Sequence, residues 1–154
     1  MRLRKKPKAL STLEANQHII IFKPQEKKGH WKEFFSNDNP IYVELGTGKG
    51  RFIVENAYRH PDINYIGIDS KYDVVYMALK KALEKEVKNL ALLPLNVENI
   101  NDVFDKGEVD RLFINFCDPW PKARHAKRRL THPRFLEKYK LFLKDGAQII
   151  FKTD

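Results

Sequence analysis

Glu44 stands two residues before the turn Gly46-Thr-Gly-Lys-Gly50, and Asp118 opens the run Asp118-Pro-Trp-Pro-Lys-Ala-Arg-His-Ala-Lys-Arg-Arg129. These two stretches hold the residues whose types and spacing could do chemistry. Glycines let a backbone turn sharply and approach a ligand closely, and amides at a helix start attract negative or electron-rich groups. A dinucleotide fingerprint requires a third glycine where Arg51 stands, and a phosphate-cradling loop requires Ser or Thr where Gly50 follows Lys49. Both fail. Taken alone, the turn is an ordinary strand-to-helix connection. An acid at Glu44 repels a pyrophosphate, however, and suits an ammonium or sulfonium charge. Asp69, 21 residues beyond Gly48, is spaced to accept hydrogen bonds from both hydroxyls of a ribose. Asn96 could bond an adenine edge. Gly46, Gly48, Glu44, Asp69 and Asn96 together describe a site for a cationic nucleoside, and S-adenosyl-L-methionine fits it.

The second stretch points to a polyanion. Lys122, Arg124, Lys127, Arg128 and Arg129 are phosphate ligands in type, and five of the first eight residues are also basic. The net charge is +9, and two dense clusters favour nucleic acid over a merely solvated face. His125 is expected to make a polar RNA contact or none. Trp120 lies between Pro119 and Pro121, where it either stacks on a base or plugs the loop into the core; the second role is commoner for tryptophan. The single cysteine, Cys117, excludes an internal disulfide and a multi-cysteine zinc site and is expected to pack as a small hydrophobe. No metal is expected.

Elements that could position these groups follow from periodicity. The 154 residues, 42% hydrophobic and 32% charged, suit one ordinary domain and exclude a disordered chain. No apolar run is long enough for a bilayer or a signal peptide, so the expected compartment is the cytoplasm and no membrane is involved. Residues 1–40 read as a basic arm and an irregular or helical lead-in, with Ser11 and Glu14 spaced as a capping box. Residues 41–154 read as the ligand-binding domain. Strands are expected at 41–45, 65–68, 90–95, 111–117 and 147–152. Helices are expected at 51–59, after a Ser70–Asp73 capping box, and at 133–143, where Asp145-Gly146 closes the last. A short helix or turn spans 99–104. Such alternation predicts a doubly wound α/β fold with a mainly parallel sheet. Ligands bind such sheets beyond the carboxyl ends of the strands. Glu44, Asp69, Asn96, Asp118 and Thr153-Asp154 stand at those five ends.

Asp118-Pro-Trp-Pro-Lys122, Arg124-His-x-Lys-Arg-Arg129, Val43-Glu-Leu-Gly-Thr-Gly-Lys-Gly50 and Lys152-Thr-Asp154 together resemble bacterial tRNA (guanine-N7)-methyltransferases. The likeness runs essentially the whole length of the chain, and its Asp118-to-Arg129 part is the specific one. It implies the Rossmann-like fold of a class I methyltransferase without that fold's C-terminal strand pair, which would leave the fifth strand with an open edge. Glu44, Asp69, Asn96 and Asp118 are implied to contact S-adenosylmethionine, and Lys122 and Asp154 the tRNA. The Arg124–Arg129 segment is implied to bind RNA. Asp69 replaces a glutamate common in the family. The implied reaction is methylation of a guanine in the tRNA variable loop, yielding S-adenosyl-L-homocysteine; a homodimer is left open.

Guanine N7 has a lone pair and no proton, so positioning and electrostatics suffice. Asp118 is assigned to positioning and charge stabilisation, and Asp154 to the guanine N1–H and N2 edge. Two alternatives are an amino-group methyltransferase, suggested by Asp-Pro-aromatic-Pro, and a non-catalytic basic RNA-binding module. If the five cations from Lys122 to Arg129 contact phosphates, the logarithm of tRNA affinity falls against log salt with a slope of about −4. A binding curve flat between low and physiological salt overturns that role.

Overall fold

The computed structural model describes residues 8–115 and 120–152. Asp118, Cys117, Pro119, Thr153, Asp154 and the basic residues before Lys8 lie outside them. Five strands, β1 (Ile41–Leu45), β2 (Asn64–Asp69), β3 (Leu90–Pro94), β4 (Val109–Asn115) and β5 (Leu143–Lys152), form one sheet. Its order is β3-β2-β1-β4-β5, and every pairing is parallel. β1 is therefore central, and the chain crosses to β2 on one side and to β4 on the other. That reversal opens a crevice at the carboxyl end of β1.

Near-continuous apolar strands are what a sheet covered on both faces requires. Ile41, Val43, Leu45, Ile66, Ile68, Leu112 and Ile114 fill one face, against Trp31 and against Phe135, Tyr139 and Phe142 from α5 (Pro133–Lys140) and the turn after it. The opposite face is covered by α1 (Ala9–Glu14), α3 (Arg51–Arg59) and α4 (Tyr72–Lys85) through Leu13, Ile53, Val54, Ala57, Val75, Ala78 and Leu79. Residues before β1 share in both. Ile20 bridges Leu92 on the outer edge of β3. Trp31, in the short helix α2 (Trp31–Phe35), is fully buried and donates its indole N–H to the Val103 carbonyl at 2.8 Å.

Both expected capping boxes are absent. Ala9 and Leu13 must be buried together, one turn apart, so α1 begins at Ala9 and Ser11 falls inside it, donating its hydroxyl to the Lys8 carbonyl at 3.2 Å. Ahead of α4, Lys71 takes the cap position without a side-chain bond, and Asp69 Oδ1 accepts the Lys71 amide at 3.1 Å instead. Asp145-Gly146 is not a helix stop. α5 ends at Lys140, and β5 starts at Leu143, with a register shift opposite Val109–Arg111 and Gly146 at φ 78°. The glycine supplies a left-handed residue within an irregular stretch of strand. Among the described residues nothing pairs with the outer edge of β5.

The anchoring of the N-terminal segment has a direct test. Trp31→Ala should cost roughly 3–5 kcal/mol of unfolding free energy, measured by urea denaturation. A loss under about 1 kcal/mol shows that this segment is not part of the core.

Candidate functional site

The turn after β1 owes its shape to three left-handed glycines, Gly46 (φ 71°), Gly48 (φ 54°) and Gly50 (φ 83°). A side chain at each would be strained. Gly46 N–H bonds the Ile68 carbonyl at 2.8 Å, tying the turn to β2. A Cβ at Gly50 would lie 2.5 Å from the Ala78 Cβ, so the start of α3 sits directly on α4. Gly46 and Gly48 line a cleft of about 500 Å³ at the carboxyl edge of the sheet. Asp69, Ser70 and Lys71 wall it from β2, and Asn96, Val97 and Glu98 from the end of β3. Trp120 and Arg128 close it from the basic segment, with Arg134 and Phe135 of α5 beside them.

Glu44 lies under the turn, on the strand face shared with Gly67 and Phe113. Only 3% of it is exposed, and Asn115 donates its side-chain amide to Glu44 Oε2 at 3.0 Å. The other oxygen, Oε1, is buried without a hydrogen-bond partner among the described residues. Burial pushes the Glu44 carboxyl up to about 8; the Asn115 bond opposes this, and the nearby Asp69 charge adds to it. Leaving a buried acceptor unmet costs free energy unless something supplies a donor or a positive charge. Backbone amides of a glycine turn, a ribose-spaced carboxylate at Asp69 and an unmet buried acid make a donor set that fits a cationic nucleoside.

The structure brings together four of the five expected cofactor residues that it describes at one cleft edge: Gly46, Gly48, Asp69 and Asn96 line the cleft, whereas Glu44 is buried two residues before Gly46 and does not line it. Asn96 is partly committed, since its Oδ1 accepts the Glu98 amide at 2.9 Å and starts the 3-10 helix Val97–Asp102. Its amide N–H groups are the part left to face a ligand. Asp118 and Asp154 lie outside the described residues.

In the basic segment, the 3-10 helix Ala123–Arg128 carries Arg124, His125, Lys127 and Arg128, with Lys122 at its cap. Lys122, Arg124 and Lys127 are exposed. Arg128 sits over the Trp120 ring, 5.0 Å from its centroid, and His125 meets that ring edge-on at 5.4 Å. Trp120 therefore faces the cleft under Arg128 and is neither a deep core plug nor freely presented. Arg129 turns back on its own loop, donating Nε to the Trp120 carbonyl at 2.8 Å and Nη2 to Pro121 at 3.2 Å. Its guanidinium holds the loop in shape while still contributing charge.

Several residues here escaped the sequence reading. Asn115 was read only as part of an apolar strand; a polar side chain within Leu-Phe-Ile-Asn-Phe was its signal. Glu98 and Arg134 form a two-pronged ion pair, Nη1 to Oε2 at 3.0 Å and Nη2 to Oε1 at 2.8 Å. The Arg134 hydrogen bonds hold the Glu98 carboxyl below the usual carboxylate range. Being 36 residues apart, the two give no local signal.

The family model described as "Putative methyltransferase" matches residues 38–154. A tRNA (guanine-N(7)-)-methyltransferase of Clostridium acetobutylicum is 54% identical over all 154 residues, which span 72% of that protein. One of Clostridium tetani is 49% identical over the same span, again 72% of its length. The crystal structure of the antibiotic-resistance methyltransferase Kmr superposes with a TM-score of 0.62 at 20% identity, covering 82% of this chain and 65% of that one.

Because the folded-state value of Glu44 is raised, its protonated form is the one the fold favours. That stabilisation is complete below the ordinary value of 4.5 and is lost as pH rises through about 8. The ligand-free chain should lose thermal stability across this interval, and Glu44→Gln should flatten the decline. A wild-type melting temperature level from about pH 5 to about pH 8 contradicts the burial of this acid.

Proposed function

The chain belongs to the tRNA (guanine-N7)-methyltransferase family, and we propose from its site that it methylates guanine N7 in the tRNA variable loop, in the cytoplasm, using the cleft above Glu44 for S-adenosylmethionine. The observation that carries this reading is the adjacency of two unlike surfaces. A cleft walled by Gly46, Gly48, Asp69 and Asn96, with the buried, half-unmet Glu44 carboxylate two residues before Gly46, opens directly beside a cationic segment, and Trp120 and Arg128 belong to both. A polyanion laid on Lys122, Arg124 and Lys127 therefore brings its bases to the mouth of the cleft.

Glu44, Asp69, Asn96 and the amides of the Gly46–Gly50 turn would hold the cofactor. Bound there, it supplies a methyl group activated by attachment to a sulfonium centre. Glu44 offers its unmet oxygen to the cationic end of the ligand, and ligand charge favours the ionised carboxylate over the protonated one. Asp69 is placed for the ribose hydroxyls and Asn96 for the base edge. Guanine N7 presents a lone pair and no proton, so the protein has to align the purine and stabilise charge without removing a proton. We assign Asp118 to the charge that develops on the purine and Asp154 to the guanine N1–H and N2 amino edge. Lys122 is assigned to the tRNA next to them, and Arg124, His125, Lys127, Arg128 and Arg129 to the surrounding RNA surface.

Incubation with tRNA and methyl-labelled cofactor, followed by nucleoside separation, tests the reading. Label should appear in 7-methylguanosine, and Asp118→Ala should lower turnover at least about 100-fold if electrostatic positioning dominates. Label in an N-methylated amino group would instead identify an amino-methyltransferase. Binding of tRNA without any transfer would leave an RNA-binding module.

A further inference from the structure

Arg134 is the first residue of α5 after its proline, and its donors reach two separate segments of the chain. Both terminal nitrogens grip the Glu98 carboxylate on the 3-10 helix that follows β3. Nε donates to the Lys127 carbonyl in the basic segment. The guanidinium also lies over the Phe135 ring, 4.0 Å from its centroid, which fixes its plane. Glu98 is held from its other side too: its amide bonds the Asn96 side chain and its carbonyl accepts Lys138 Nζ at 3.2 Å. A continuous path of hydrogen bonds therefore runs from Asn96 through Glu98 and Arg134 to Lys127. One end is the cleft wall at the close of β3, and the other is the backbone carrying the exposed cations.

The path has little to do with global stability. Side-chain exposures of 34% and 46% put the ion pair in solvent, where such pairs add little to folding. Its fork geometry and its second anchor on Lys127 instead fix where two surface segments stand relative to each other, which a Lys at this position could not do.

We propose that Arg134 is a positioning residue that makes filling of the cofactor cleft and seating of tRNA on the basic segment mutually reinforcing. A ligand that orders Asn96 and Glu98 pre-sets the Lys127 carbonyl and with it the segment tRNA must meet; tRNA bound on that segment returns the same free energy to the ligand. This rests on the functional reading above.

The test measures tRNA affinity by fluorescence anisotropy with and without saturating S-adenosylhomocysteine, for wild type, Arg134→Lys and Glu98→Gln. The ratio of the two affinities is the readout, whatever happens to either affinity alone. In the wild type the product should tighten tRNA binding about fivefold or more, and in Arg134→Lys the ratio should fall to near one. Glu98→Gln, which keeps a hydrogen-bonding partner but loses the charge, should lie between. Melting temperatures should drop by less than about 3 °C in both variants, as suits an exposed pair. A ratio unchanged in Arg134→Lys, or a wild-type ratio of one, overturns the proposal while leaving the methyltransferase reading intact. Failure of wild type to bind either ligand overturns both.

Discussion

Everything at this site depends on burying one carboxylate in the central strand of a parallel sheet. β1 has a neighbour on each side and helices on each face, so Glu44 is almost wholly shielded from water. An acid there is costly, and among the described residues its one hydrogen bond is the amide from Asn115, which leaves Oε1 unmet. A buried acceptor left unmet is unfavourable by itself and is relieved by any group that brings a donor or a positive charge to it. The glycines follow from the same constraint. With the acid one residue before the strand ends, the chain has to reverse within a few residues, and three left-handed positions achieve it.

How much of this was legible depended on whether the signal was local. The first four strands, to within two residues over the described residues, and the helix Arg51–Arg59 follow from apolar runs and turn residues that sit next to each other, whereas β5 begins at Leu143 and not at 147. At Ser11 and Ser70 the helix starts depart from the local capping preference, because burial of Ala9 with Leu13, and the Asp69 bond to Lys71, override it. The Asp145-Gly146 pair was read as a helix stop for a similar reason: a glycine with positive φ serves a strand irregularity as readily as a helix end. In the site, Glu44, Gly46, Gly48, Asp69 and Asn96 were accessible from topology alone, since strand ends in an open parallel sheet share an edge. Asn115 and Glu98–Arg134 were not, since their partners are far away in sequence.

The basic segment shows what a charge count leaves out. Five cations between Lys122 and Arg129 look interchangeable in the sequence, yet they divide the work. Arg129 is turned inward onto the Trp120 and Pro121 carbonyls, and Arg128 is laid on the Trp120 ring. Only Lys122, Arg124 and Lys127 are exposed without such an engagement among the described residues. Bending the Arg129 guanidinium back onto a proline-flanked loop commits its hydrogen bonds to order. A loop already ordered loses less conformational entropy when a polyanion arrives, so each remaining cation is more effective per contact. The inward arginines keep their charge, and thus still raise the local potential that draws phosphate toward the segment.

The same contacts set how Trp120 meets the cleft. Trp120 adopts a positive φ of 44°, uncommon for a bulky side chain, and such strain persists only where surrounding contacts over-determine it. Those contacts are Arg128 above the ring, His125 at its edge and Arg129 on its carbonyl. Three residues of the basic segment thus hold Trp120 over the cleft. Loosening any one of them would relax the tryptophan and the cationic surface together.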